Sequence, residues 1–103
     1  MRLVYPLAVV AALAACERAY AADHIVAIEN MAFRPAALQV ASGDTVTFVN
    51  RDRAPHTATA RSGAFDTGRL GPGKAVRIVI GGAGILDYFC AVHPRMTGQI
   101  ASR

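Results

Sequence analysis

Apolar residues recur at every second position through most of this 103-residue chain, in short runs cut by Gly, Pro, Asp and Ser. No other feature limits the fold so strongly, because side chains alternate across a strand and a period of two buries one face only. In HIVAIEN, Val26 and Ile28 share a face; in ALQVASGDTVTFVN, Leu38 and Val40 precede a Ser42-Gly43-Asp44 turn, after which Val46 and Phe48 alternate with Thr45, Thr47 and Val49. HTATA gives a short β-prone run from His56, GRLGPGK a turn-rich connection, and AVRIVI sets Val76, Ile78 and Ile80 inward with Arg77 outward. GGAG, at 81 to 84, reads as a flexible corner, and ILDYFC and TGQIAS complete the set. No stretch keeps a helical period for long. The expectation is an all-β protein, an antiparallel Greek-key β-sandwich of seven to eight strands. Tyr88, two residues before Cys90 on the same strand face, is a candidate corner tyrosine bonded through its hydroxyl to nearby backbone; the alternative is an ordinary core aromatic.

The opening MRLVYPLAVVAALAAC breaks this rhythm. Arg2 is followed by an apolar run from Leu3 to Ala15 that ends in small residues, the form of an export signal and too short to span a bilayer. Two cleavage readings compete. AYA at 19 to 21 suits a soluble product, with a leader over 1–21 and a domain over 22–103; LAAC at 13 to 16 resembles a lipobox, with a leader over 1–15 and an acylated Cys16. The first is preferred, since a lipid on Cys16 leaves only Glu17 to Asp23 as tether, so a membrane is a partner only if Cys16 is lipidated. Both place the domain outside the cytoplasm, in the periplasm.

So small a domain has a thin core and gains from a staple. Its one cysteine, Cys90, has no partner for an internal disulfide, and a lone thiol in an oxidising compartment is a liability unless buried or ligated. That favours a metal over a bridge. The net charge of +4 suits an acidic partner, yet with only 7% aromatic residues it is too modest to argue for nucleic acid. A monomer is expected.

CAVHPRM, residues 90 to 96, then concentrates the chemistry. Cys90, His93 and Met96 stand at an even spacing of three in a loop that must turn back before TGQIAS. A fourth ligand has two histidines to come from. His24 opens the first strand beside the leader with no visible partner, whereas His56 starts a distant strand behind Pro55 and would lock the loop to the sheet. His56 is therefore chosen. Two imidazoles, a thiolate and a weak axial thioether form the blue-copper arrangement: the sulfurs stabilise Cu(I), the imidazoles suit Cu(II), and a near-trigonal plane serves both. Zinc is the rival metal, but it gains little from methionine. Taken singly, Cys90 reads as a buried small hydrophobe, Met96 as a core filler and His56 as a polar strand end; the spacing and the single cysteine favour ligands. Cys90 is flanked by Phe89 and Ala91, histidines are too few for a second copper cluster, and no nucleophile stands with a base. The expected function is one-electron transfer rather than catalysis. Copper buffering or delivery without redox turnover is the alternative.

The residues also resemble a known family. MAFRPAALQVASGDTVTFVNRDRAPHTA and DYFCAVHPRMTGQI are similar to the two ligand-bearing blocks of the cupredoxins, and the short C-x2-H-x2-M loop to their amicyanin/plastocyanin-like members of the amicyanin type. The resemblance implies an eight-stranded β-sandwich and a diffusible carrier with His56, Cys90, His93 and Met96 on copper. It implies that Asn50 ties the first histidine loop to the cysteine loop, although the usual hydroxyl partner is here Ala91, which leaves only a backbone bond. Met31, Pro55 and Pro94 match the apolar patch through which His93 would meet a redox donor or acceptor; Arg95 replaces an aromatic residue there, and Ala54 a methionine.

Overall fold

The period-two runs become eight strands in the computed structural model, which describes residues 21–103. They are β1 (Asp23–Glu29), β2 (Ala32–Arg34), β3 (Ala37–Val40), β4 (Thr45–Asn50), β5 (Thr59–Ala60), β6 (Ala75–Val79), β7 (Gly84–Phe89) and β8 (Thr97–Ser102). The export leader and Cys16 lie outside the described residues. Two four-stranded sheets form, ordered β2-β1-β4-β6 and β3-β8-β7-β5, and no helix appears among the described residues. This is the expected all-β sandwich, with one correction. Each sheet is mixed, because β1 pairs with β4 and β3 with β8 in parallel. The chain leaves the first sheet between β2 and β3, so β4 returns beside β1 running the same way. Alternation reports which face is buried and is blind to the direction of a neighbour.

The inward faces carry the core that the alternation marks. Val26 and Ile28 of β1 meet Val46 and Phe48 of β4 with no exposed surface, and Ile100 closes the opposite sheet. Val76 and Ile78 are half-buried against this core and Arg77 faces out. The HTATA run shrinks to the two residues of β5, since His56 pairs with Leu70 and Thr59 with Asp66 in isolated bridges that divert the chain. The 81 to 84 corner is anchored rather than flexible: Gly82 N–H donates to Ser42 Oγ at 3.0 Å and Ser102 Oγ–H to Gly82 O at 2.7 Å.

Tyr88 corrects a second expectation. It is no corner tyrosine but the hub of the core, with ring centroids 4.7 Å from Phe33, 5.4 Å from Phe48 and 5.8 Å from Phe65. Its buried hydroxyl has no hydrogen-bond partner, and burial pushes its phenol well above the ordinary value. The ring lies across Gly98, its register partner on β8; a Cβ there would overlap Tyr88 Cζ, so glycine is required. Aromatic cover of a strand glycine stabilises the pair.

Candidate metal centre

Cys90 continues the alternation of β7 inward past Tyr88 and is fully buried. The chain then turns back tightly. Met96 N–H donates to His93 O at 2.9 Å across a four-residue turn, and Cys90 N–H to Met96 O at 3.0 Å. Pro94 occupies the second position of that turn, where its fixed φ is favoured. The loop is therefore shaped by its own backbone.

His56 arrives from the other side. Its N–H and C=O both pair with Leu70, at 3.1 and 2.7 Å, and its side chain has no exposed surface. Nε2 lies 2.9 Å from Asp52 Oδ2. With the Nε2 proton donated to that carboxylate, Nδ1 keeps its lone pair, and it faces Cys90 Sγ at 3.7 Å. His93, half-buried, places its own Nδ1 3.8 Å from the same sulfur. The three donor atoms lie within 4.8 Å of one another. A metal held by nitrogen at about 2.0–2.1 Å and sulfur at about 2.3 Å separates N and S by about 3.8 Å in a trigonal plane and about 3.6 Å in a tetrahedron. The observed separations, 3.7 and 3.8 Å, are those of donors sharing one metal ion, and two imidazoles with one thiol are the equatorial donors of blue copper. The donor set fits that ion.

Two backbone N–H groups point at the sulfur, from Thr57 at 3.3 Å and His93 at 3.4 Å. Such bonds fix the position of the sulfur and tune a metal that it carries. Asp52, which the sequence reasoning passed over, organises the histidine. It accepts N–H groups from Asn30 at 2.7 Å and Met31 at 2.9 Å as well as the imidazole. The Met31 N–H above all, with His56 and Asn30 and against the opposing effect of burial, holds its carboxyl below the ordinary range. Both donors have positive φ, 54° and 59°, a left-handed turn uncommon outside glycine that aims consecutive N–H groups at one acceptor. An acid four residues before a ligand histidine was the available signal.

The structure brings together His56, Cys90 and His93 and leaves His24 elsewhere, bonded through Nε2 to Asp44 at 2.9 Å; that histidine does have a partner. Met96, at the end of the loop, is buried. Asn50 departs from the implied role: its amide donates to Ala54 O and Leu70 O, both at 2.8 Å, and its carbonyl accepts from Asp52 N–H. Every one of these bonds serves the His56 loop. The tie to the cysteine loop is made by Thr57, whose Oγ1 accepts the Ala91 N–H at 2.8 Å, so a hydroxyl on the histidine side replaces the one that Ala91 lacks. Met31, Val92, Pro94, Arg95 and Met96 line an open depression with His93. Pro55, half-buried, is not part of its lining.

A mixed β-sandwich with two imidazoles and one thiolate gathered at the end of its strands is the architecture of a type 1 copper domain. The chain belongs to the cupredoxins: the family model for the cupredoxin-like domain matches residues 3–101. It is 32% identical over 81 residues to amicyanin of Paracoccus versutus, and 35% identical over 81 residues to that of Paracoccus denitrificans, covering 74% of this chain in each case. The matched regions span 61% and 62% of those two relatives. Among solved structures, the Cu(I) form of an amicyanin variant superposes with a TM-score of 0.74 at 32% identity, covering 86% of this chain and 89% of that one. A copper-containing nitrite reductase from Thermus scotoductus superposes with a TM-score of 0.73 at 30% identity, over 79% of this chain and only 22% of the enzyme.

Proposed function

We propose that the domain is a one-electron carrier of the periplasm, not an enzyme, with one copper ion held by His56, Cys90 and His93 and by Met96 as weak axial ligand. The observation that carries this reading is the Nδ1, Sγ, Nδ1 cluster, each nitrogen 3.7 or 3.8 Å from the one sulfur and the loops around it held by the chain's own hydrogen bonds. Copper bound there supplies a one-electron couple between its cuprous and cupric forms. The protein's part is to keep one geometry for both. Asp52 fixes the His56 ring, two N–H groups hold the sulfur, and the Pro94 turn closes the loop, so little has to move when the charge changes. Solved amicyanins exist in oxidised and Cu(I) forms, the two states such a carrier alternates between.

His93 marks the docking face, in the depression formed with Met31, Pro94 and Arg95, with Pro55 behind it. Around this end stand Arg51, Arg53, Arg69, Lys74 and Arg95, all exposed. Asp52 at the same end is committed to internal bonds. An apolar contact inside a basic collar suits a redox donor or acceptor whose own contact is rimmed by acids. The leader over 1–21 and the domain over 22–103 belong to the same reading.

Copper buffering or delivery is favoured by one feature, the thioether of Met31. It is 47% exposed beside His93 and offers a soft group to a departing Cu(I). Spectroscopy of the copper-loaded protein, followed by electron self-exchange and Cu(I) transfer to an acceptor, separates the readings. Intense blue absorption with fast exchange is the expected result. Slow exchange with prompt copper loss selects delivery, and a colourless or zinc-selective protein overturns both. Met96→Gln should keep the copper site and lower its reduction potential, because the axial ligand tunes it.

A further inference from the structure

The opposite end of the sandwich holds a second built site that the copper chemistry does not use. Asp44 ends the turn before β4 and is buried, with 5% of its surface exposed. Oδ1 accepts the backbone N–H of Ala22 at 2.9 Å, and Oδ2 accepts the Ala41 N–H and contacts His24 Nε2, each at 2.9 Å. Ala22 is pinned on its other side too, where its carbonyl accepts the Thr45 N–H at 3.0 Å. His24 first, then the Ala22 and Ala41 N–H groups, draw the carboxyl down to about 2. It is ionised at any pH the protein meets in a cell. The residue it grips follows directly on Ala19-Tyr20-Ala21, the small-x-small motif at which export leaders are cut.

We propose that Asp44 is the receptor for the mature N-terminus: cleavage after Ala21 turns the Ala22 amide into an α-ammonium that Asp44 holds as a partly buried ion pair. A leader peptidase hydrolyses the Ala21–Ala22 bond. Water gives its hydroxyl to the Ala21 carbonyl carbon and a proton to the Ala22 nitrogen; the new acid releases its proton and the new amine takes one up. A hydrogen bond with charge on the acceptor alone becomes an ion pair with charge on both partners. Processing thereby tightens the clamp between the start of β1 and the start of β4. The charges that face this site are few. Asp23 on β1 adds a second acid, itself 3.8 Å from Arg77 of β6; His24 shares the Asp44 carboxylate, and Arg103 lines the same depression with Gln39.

The test uses the whole chain, exported and purified with its copper. Intact mass and N-terminal sequencing should give a protein that begins at Ala22; one that begins at a lipidated Cys16 overturns the proposal. On the natural product, the pH dependence of amine acylation reads the terminal amine directly. It should titrate above the ordinary α-amine range of about 7.7–8.0, and an ordinary value overturns the proposal. A variant with one extra glycine ahead of Ala22 puts an amide back at the Asp44 oxygen. It should melt several degrees lower at neutral pH with its copper spectrum intact. A raised amine stabilises the fold below its unfolded value and loses that effect as pH rises through its folded one, so the gap should close in alkali. Equal melting at neutral pH counts against the ion pair.

Discussion

The two ends of the sandwich carry the same device and put it to different uses. β4 has an aspartate beyond each end, Asp44 before it and Asp52 after it, and each reaches across to its parallel neighbour β1. Asp44 takes the Ala22 N–H at the start of β1, Asp52 the Asn30 and Met31 N–H groups at its finish. Each also holds a histidine through Nε2 at 2.9 Å. The carboxylates differ little, and the other face of the ring decides the outcome. His56 presents Nδ1 to Cys90 Sγ, whereas among the described residues His24 belongs to no cluster of metal-binding groups. A carboxylate and a histidine in contact orient an imidazole; only a further donor converts that orientation into a metal site.

The widest test of this contrast removes the further donor. Cys90→Ser should abolish the intense blue thiolate absorption completely, leaving at the ligand end a histidine and carboxylate pair no more specialised than the one at the far end. Visible and EPR spectra of the copper-loaded variant check it, and a variant that stayed blue would refute the assignment. Next in size is the effect of the carboxylates on the metal. Asp52→Asn should weaken copper binding by about 10- to 100-fold, the usual loss when a ligand histidine's outer partner is altered, while Asp44→Asn leaves it unchanged. Chelator competition measures both, and equal effects would erase the distinction between the ends.

Acid should expose the far clamp. The Asp44 carboxyl lies near 2 in the fold, below about 3.9 for a free aspartate. A depressed carboxyl stabilises the fold above its unfolded value and loses that contribution as pH falls through its folded one. Stability of the natural protein should therefore decline between about pH 4 and pH 2 more steeply than that of Asp44→Asn. Denaturant titrations of both, run copper-free so that ligand protonation does not intervene, give the comparison; parallel curves would show that the clamp does not contribute.

How much of this was legible in the sequence follows the range of each interaction. That Cys90 and His93 lie together is readable because a short loop must bring them close whatever surrounds it, and that His56 joins them because a thiol with no disulfide partner points to a metal and so to a donor from a distant strand. The strands are readable because burial alternates with a period of two. Pairing partners are another matter. Nothing local says that β4 lies parallel to β1, so neither the Asp52 link to Asn30 and Met31 nor the His24 contact with Asp44, 20 positions apart, could be inferred. The Thr57 and Ala91 tie is hidden for the same reason. A threonine mid-run looks like any strand residue until the fold sets it 34 positions from its partner. Asn50 misled in the opposite way, since its position matched a familiar role while its hydrogen bonds all turn back into its own loop.

Between the two clamps lies a polar group with no clamp at all, and the smallest expected effect belongs to it. The Tyr88 hydroxyl is buried and unpartnered, so it contributes a desolvation cost without a returning bond. Tyr88→Phe keeps the ring contacts with Phe33, Phe48 and Phe65 and its cover over Gly98, and deletes only that oxygen. The variant should be as stable as the natural protein or more so, by up to about 1 kcal/mol, which for a domain of this size is a rise of up to about 4–8 °C in melting temperature. A corner tyrosine would behave oppositely, because deleting its oxygen strands a backbone group. A fall of more than about 1 kcal/mol in Tyr88→Phe would therefore show that the hydroxyl is bonded in solution. The contrast would then weaken, since the centre of the sandwich would be held by a satisfied polar contact just as its two ends are.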